Sequence, residues 1–196
     1  MTIFNPNTIH QQISFSERLN NTQLWISKAK ELLYAANKIK PIINSKWKKI
    51  KVQHDKIIDR TRTPNIQGIY FMLIAYALEN LCKAILIYRK KESLSNRLLK
   101  SIPAEMKGHD LLKLVQNIGL SLNITTEELL VRLSRNSIWE ARYPLPIESS
   151  KMTLYEKVSN EKKVFVAFFT QEDINKIDGL IGRFKNLIKI ELKMDI

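Results

Sequence analysis

A chain of 196 residues with 44% hydrophobic residues can bury one sizeable core, so a disordered chain is not expected. Only 5 glycines and 6 prolines interrupt it, which argues against a turn-rich β-sandwich and favours long helices. The single cysteine, Cys82, cannot form an internal disulfide, and a net charge of +13 indicates an anionic partner or a strongly solvated surface.

The positive charge is concentrated in the first half of the chain. Residues 1–100 carry 18 Lys/Arg against 6 Asp/Glu, whereas residues 101–196 carry 14 against 13. A concentrated basic surface is favoured to bind polyanions, because binding releases the counterions that phosphates hold. The alternative is a solvated face that only keeps the protein soluble.

Two apolar stripes at helical spacing are predicted in the N-terminal segment. The first consists of Trp25, Ala29, Leu32, Ala36 and Ile39. The second consists of Ile43, Trp47, Ile50, His54 and Ile57. Pro41 lies between them and fits either a break or the first turn of a new helix, so the segments form a hairpin or one kinked rod. The first 20 residues lack the basic start and apolar run of a secretory signal, which predicts a cytoplasmic protein.

The most apolar part of the chain is predicted to be a buried core helix over about residues 68–90. Its apolar run, residues 68–78, is too short to span a bilayer and continues into Glu79, Asn80 and Lys83, so no membrane association is expected. Glu79 and Lys83 are four residues apart, in the favourable order for an ion pair. The favoured interpretation is a structural pair; the alternative is a polar pocket lined by both side chains.

Shorter helices are predicted in the second half. One helix begins at Leu111 and closes at Gly119, since glycine best tolerates the left-handed conformation of a helix end. Thr125 followed by Glu128 has the pattern of a capping box and predicts a helix through about Glu140.

The C-terminal part is predicted to end in a long helix. Thr170 with Asp173 has the pattern of a helix start, and an apolar stripe continues from there to the C-terminus. Residues 164–169 fit a short strand, a hairpin arm or an apolar loop. The predicted fold class is therefore all-α, a single domain built as a bundle of five to seven helices.

A basic segment is the first candidate for a binding surface. Between residues 38 and 62 there are nine Lys/Arg and two Asp. The candidate phosphate contacts are Lys46, Lys48, Lys49, Lys51, Arg60 and Arg62. Trp47 lies within this segment and an aromatic ring can stack on an unpaired base. Because Trp47 also falls on the apolar stripe, core packing is the favoured interpretation.

The sequence lacks the common enzyme and metal signatures. None of the three histidines, His10, His54 and His109, has a partner at metal-ligand spacing, so neither a metal site nor a cofactor is expected. There is no glycine-rich phosphate loop, nucleophile elbow or zinc-protease motif. His54 is interpreted as a half-buried histidine of the apolar stripe.

Three short motifs resemble the HEPN superfamily and occur in the right order. The run AYALENLCKAIL at residues 75–86 resembles the HEPN helix with its spaced Ala, Glu and Lys. Gly-His-Asp-Leu at 108–111 resembles the "His-Asp-Leu" start of the next helix, and Ala-Arg-Tyr-Pro at 141–144 resembles a common HEPN helix ending. The resemblance implies a helical bundle that commonly dimerises. It divides the chain into a basic N-terminal segment (1–66), a HEPN-like core (67–146), and an insertion with the C-terminal helix (147–196).

The resemblance also implies a choice between catalysis and binding. Many HEPN proteins are metal-independent ribonucleases of toxin–antitoxin, phage-defence or RNA-processing systems, and others bind RNA, nucleotides or proteins without catalysis. Active members carry an arginine followed four to six residues later by a histidine. Here Arg142 is followed at those distances by Pro146, Ile147 and Glu148. The departure favours a non-catalytic RNA- or nucleotide-binding homodimer.

Two alternatives stay open at the level of sequence. One is a ribonuclease with an atypical site built from Arg142, Tyr143, His109 and Glu140, in which arginine would bind phosphate and histidine would move a proton. The other is a helical module whose partner is a protein. Arg142 and Tyr143 also fit a structural role at a helix end, which is favoured over a phosphate and base contact.

Overall fold

The computed structural model describes residues 6–49, 51–53, 56–58, 66–95, 99, 101–140, 156–159, 162–165 and 169–196. In both short hairpins and at a few helix ends the description covers the backbone alone. Residues 54, 60, 62, 142 and 143 lie outside this part of the chain, and only the backbone of His10 is described.

The described residues form an all-α bundle of seven α-helices, which confirms the predicted fold class. The helices are α1 (Pro6–Asn20), α2 (Thr22–Lys49), α3 (Gln67–Arg89), α4 (Lys91–Ser95), α5 (Leu111–Asn117), α6 (Ile124–Arg135) and α7 (Gln171–Leu192). A 3₁₀ turn at Ala104–Met106 precedes α5, and a π-helical turn at Asn136–Glu140 continues α6.

The described residues also include two short antiparallel hairpins. The first pairs β1 (Lys51–Gln53) with β2 (Lys56–Ile58), and the second pairs β3 (Glu156–Ser159) with β4 (Lys162–Phe165). Of the three arrangements left open for residues 164–169, the hairpin arm is observed for residues 164 and 165, which end β4, and residues 166–168 lie outside the described residues.

Helix α3 is the central helix of the bundle. Fourteen of its residues are buried, and α2 makes the most extensive contact with it, while α5, α6 and α7 also pack against it. Cys82 is fully buried in α3, and burial raises the pKa of its thiol well above the ordinary value. One helix among the described residues is long and apolar enough to cross a membrane, α3 itself, and 72% of its apolar window is buried inside the protein. This agrees with the predicted core helix.

Helix α2 is one continuous rod with Pro41 inside it. Of the two arrangements left open by the sequence, the rod is therefore the observed one. The second apolar stripe was predicted to continue through residue 57, which is wrong, because the helix ends at Lys49 and the chain turns into β1 and β2. Ile43 of that stripe is 3% exposed, and Trp47 packs partly buried against the core.

The ring of Trp47 joins an aromatic stack rather than facing solvent. Its centroid is 6.5 Å from that of Phe71, and its Nε1 donates a hydrogen bond to Gln67 Oε1 at 3.1 Å. Phe71 in turn stacks on Phe169 at 3.7 Å between centroids. The interpretation of Trp47 as a core residue is confirmed, and base stacking by this ring is not supported.

The predicted N-terminal cap is observed at α7 but not at α6. At α7, Thr170 and Asp173 form the expected capping box, with Asp173 Oδ2 accepting the Thr170 N–H at 2.8 Å. At α6 the predicted cap is wrong, because Asn123, not Thr125, accepts the Thr126 N–H at 2.9 Å. The helix consequently begins two residues earlier than the Thr125 pattern suggested. Its π-helical continuation reaches Glu140, so the helix covers the range predicted up to that residue, and residues 141–155 lie outside the described part.

A partly buried ion pair connects α6 to α7. Arg132 binds Asp173 through two contacts, Nη1–Oδ2 at 3.0 Å and Nη2–Oδ1 at 2.6 Å, and its guanidinium lies 5.2 Å from the centre of the Phe169 ring. Burial alone would raise the pKa of Asp173. The hydrogen bonds from Arg132 and Thr170 outweigh it and hold that pKa below its ordinary value.

Candidate functional site

A polar cluster interrupts the buried surface of α3. Glu79 and Lys83 lie one helical turn apart, and Lys83 Nζ donates a hydrogen bond to Glu79 Oε1 at 2.5 Å. Their side chains are only 9% and 7% exposed, so both charges are withdrawn from water. Removing a charge from water has a large free-energy cost, which attraction to an opposite charge can offset. Each of these two residues supplies the other's counter-charge. The structure thus contains the pair that the i, i+4 spacing indicates.

The second oxygen of Glu79 binds His109, which lies 30 residues further along the chain. His109 Nδ1 is 2.7 Å from Glu79 Oε2, and the imidazole is half exposed. The ring of Tyr76 meets the imidazole edge to face at 6.1 Å. In the described part of the chain no partner is found for Nε2 of His109. Glu79 therefore orients the ring through Nδ1 and leaves Nε2 able to meet a ligand.

Local backbone chemistry positions His109 against α3. Gly108 adopts φ +87°, a left-handed conformation that favours glycine, and it turns the chain just before the histidine. Asp110 then caps α5 by accepting the Lys113 N–H at 3.1 Å. Ser134 of α6 accepts the Leu111 N–H at 2.9 Å, which fixes the start of α5 on α6. The Gly-His-Asp-Leu motif is thus a turn, an oriented imidazole and a helix cap.

The chemistry available to this cluster includes proton transfer. A carboxylate that accepts the Nδ1–H of a neutral imidazole fixes the tautomer whose Nε2 can accept a proton. Lys83 offsets the charge of Glu79, so the cluster is neutral when His109 is neutral. Among the described residues no group of three or more His, Cys, Asp or Glu is placed to hold a metal ion.

The predicted basic residues are only partly described. Lys46 and Lys48 lie near the end of α2, where Lys48 is exposed and Lys46 is half-buried. Lys49 ends α2 and Lys51 begins β1, with the backbone alone described at both positions. The remaining predicted contacts, Arg60, Arg62 and Arg142, lie outside the described residues. None of the described lysines of this set is part of the Glu79 cluster.

The residues of the alternative catalytic site are likewise described in part. His109 is placed as above, whereas Arg142 and Tyr143 lie outside the described residues. Glu140 ends the π-helical turn, and its side chain is not described. That turn is tied to the cluster by Tyr76, whose hydroxyl donates to the Ser137 carbonyl oxygen at 3.0 Å.

A second surface feature was not singled out from the sequence. A groove between α2 and α7 is lined by basic and aromatic side chains, including Lys30 and Tyr34 of α2 and Lys185 of α7. The signal available in the sequence was the four-residue spacing of Lys30, Tyr34 and Lys38, which places them on one helix face. The sequence predicts α7 as a helix, but it does not show that α7 packs beside this face of α2.

Comparison with known proteins gives no assignment. No family model, curated protein or solved structure matches this chain. The HEPN-like interpretation therefore remains a hypothesis based on the three sequence motifs.

Proposed function

We propose that this protein is a HEPN-like, non-catalytic domain that binds RNA or a nucleotide, in a defence or toxin–antitoxin setting. The observation that carries the proposal is the outer face of α2. Helix α2 contains seven lysines and one acidic residue, Glu31. Its lysines at 30, 38 and 48 are all exposed on the side away from the core.

The charge of this face is largely uncompensated. Within the described residues Lys28 pairs with Glu31 and Lys40 pairs with Asp178, whereas Lys30, Lys38 and Lys48 form no ion pair. Lysines spaced along one helix can each contact a different phosphate of a nucleic acid backbone. The exposed lysines of α2 support RNA binding over simple solvation because they share one face with an exposed aromatic ring, that of Tyr34.

The HEPN-like part of the proposal is supported by the Glu79 cluster. Two motifs that are far apart in sequence, in α3 and at the start of α5, meet at the 2.7 Å contact between Glu79 and His109. The non-catalytic part is supported by sequence alone, because no histidine follows an arginine at the spacing of active HEPN proteins.

A metal-independent ribonuclease is the second candidate, and one observation favours it. His109 is oriented by a buried carboxylate and half exposed, as a general base requires. In that case Nε2 would take the proton of a ribose 2′-hydroxyl while its oxygen attacks the adjacent phosphorus. The 5′-oxygen would leave with a proton supplied by a second group.

One experiment separates binding from cleavage. The full chain is incubated in EDTA with labelled single-stranded and structured RNAs, beside His109→Ala and Arg142→Ala variants, and both retention and cleavage are scored. We expect salt-sensitive retention without cleavage. Cleavage that is lost in the His109→Ala variant would establish the ribonuclease instead, and the absence of both signals would favour a helical module with a protein partner.

The proposal includes a homodimer, which the resemblance implies. Light scattering of the purified chain measures its mass directly. A mass near twice 22.9 kDa is expected, and a monomer across the accessible concentration range would contradict this part of the proposal.

A further inference from the structure

The groove between α2 and α7 has the size of a small-ligand site. Its cavity volume is about 430 Å³. Its polar side chains are Lys30, Tyr34 and Asn37 from α2 and Asp178 and Lys185 from α7, and the terminal residue Ile196 also lines it. Binding sites of a few hundred Å³ accommodate one small ligand or one unit of a polymer.

Tyr34 presents an aromatic face at this groove. Tyr34 is 67% exposed, the largest exposed fraction among the described tyrosines, and Lys38 Nζ lies 5.0 Å from its ring centroid. An exposed ring held on a rigid helix is suited to stacking against a planar base, and a nearby cation strengthens contacts with a nucleotide. Tyr88, which is 38% exposed on α3, does not line the groove and therefore offers a comparison.

The groove is positively charged. Among the described residues Lys30, Lys38 and Lys185 form no ion pair, and Lys38 Nζ lies over the Tyr34 ring. The one acidic residue in the lining, Asp178, binds Lys40 Nζ through Oδ2 at 2.5 Å. Four lysines in and around the groove thus outnumber two negative groups, the Asp178 side chain and the terminal carboxylate of Ile196, and this balance favours a phosphate.

We propose that this groove binds one nucleotide of a single-stranded RNA, an inference that rests on the RNA-binding function proposed above. The base stacks on Tyr34 and a phosphate contacts Lys30 and Lys185. Asn37 and Asp178 supply polar groups that can bind a ribose 2′-hydroxyl, which DNA lacks. Duplex RNA is not the ligand of the groove, because its bases are already stacked and paired.

The stacking step is tested by fluorescence anisotropy with labelled octa-uridine RNA and the full chain at low salt. The Tyr34→Ala variant should bind about tenfold more weakly, since a stacked base contributes substantially to affinity. Tyr34→Phe should bind as the wild type does, because the ring is retained. Tyr88→Ala removes an exposed tyrosine elsewhere and should leave the affinity unchanged.

The phosphate step is tested with a pair of variants matched in charge. Lys30→Gln/Lys185→Gln should weaken RNA binding clearly more than Lys107→Gln/Lys113→Gln, which removes two exposed lysines far along the chain from the groove. Equal losses in both variants would show that only overall charge matters and would overturn the groove as a site. An octa-thymidine DNA bound as tightly as the RNA would overturn the choice of RNA.

Ultraviolet crosslinking with 5-iodouridine RNA identifies the contact directly. Attachment to Tyr34, found by mass spectrometry, is the expected result. If the wild type binds RNA but Tyr34→Ala matches Tyr88→Ala and crosslinks fall elsewhere, the groove is wrong and the proposed RNA-binding function stands. If the wild type binds no RNA, the proposed function fails and this inference fails with it.

Discussion

At the scale of single residues, Glu79 brings a negative charge into the most apolar helix of the chain. It divides its two carboxylate oxygens between Lys83 and His109. The i, i+4 spacing of Glu79 and Lys83 was enough to predict their contact. The contact with His109 could not be predicted, because it requires the packing of α5 against α3 across 30 residues of sequence.

Removal of either member of the buried pair should be costly for stability. Glu79→Ala leaves the Lys83 ammonium buried without its counter-charge, and we expect the free energy of unfolding to fall by about 3 kcal/mol or more. Urea denaturation followed by circular dichroism measures this loss. The double variant Glu79→Leu/Lys83→Met should be more stable than Glu79→Ala, because neither charge is then buried. A double variant less stable than the single one would contradict the structural interpretation of the pair.

The Arg132–Asp173 pair predicts a pH dependence. The folded-state pKa of Asp173 lies below the unfolded value, so its contribution to stability is present above the unfolded pKa and is lost as pH falls through the folded pKa. Asp173→Asn should therefore destabilise the protein by about 2 kcal/mol at pH 7, and the difference from wild type should shrink below about pH 4. Unfolding midpoints measured from pH 7 to pH 2.5 check this. Glu172→Gln, beside it on the exposed side of α7, should show little change at any pH.

At the scale of elements, periodicity located the helices better than it located their ends. The stripes of α2 and α7 were predictable because their apolar residues recur at helical spacing, and these residues are buried in the core or packed partly buried against it. The end of α2 at Lys49 was not predictable, because the sequence repeats the same apolar spacing beyond it, at residues 50, 54 and 57. A short hairpin overrides the pattern there through backbone pairing that the spacing does not report.

The start of α6 gives an element-scale prediction. Since Asn123 accepts the Thr126 N–H, Asn123→Ala should lower the free energy of unfolding by about 1 kcal/mol. Thr125→Ala leaves that bond in place, so its effect should be smaller. Chemical denaturation of the two variants side by side measures the difference. A larger loss for Thr125→Ala would return the cap to the residue that the sequence pattern indicated.

At the scale of the whole molecule, the packing of the helices determines where the basic side chains meet. The basic excess of the first 100 residues was evident from the sequence, yet its arrangement was not, because Lys30 and Lys185 come together only when α2 and α7 are neighbours. Sequence spacing pointed to the end of α2 and the following segment as the basic surface. The structure adds a second basic area in the middle of that helix.

The salt dependence of RNA binding tests the basic face as a whole. If Lys30, Lys38, Lys48 and Lys185 each contact a phosphate, the logarithm of the binding constant should fall with the logarithm of salt concentration with a slope of about −3. Lys48→Gln should reduce the steepness by about 0.7, as expected for the loss of one contact with a single strand. Anisotropy titrations at four salt concentrations provide the slope. A slope near zero would indicate that these lysines are only solvated.

The one cysteine of the chain offers a way to search for the ligand without knowing what it is. Cys82 of α3 is fully buried in the core, so a thiol reagent can modify it only in the fraction of molecules whose core has opened. Any compound that binds the closed form lowers that fraction and slows the modification in proportion to its occupancy. The rate at which this sulfur is labelled in the presence of RNAs, nucleotides or cell extracts is therefore a readout that the natural chain already carries.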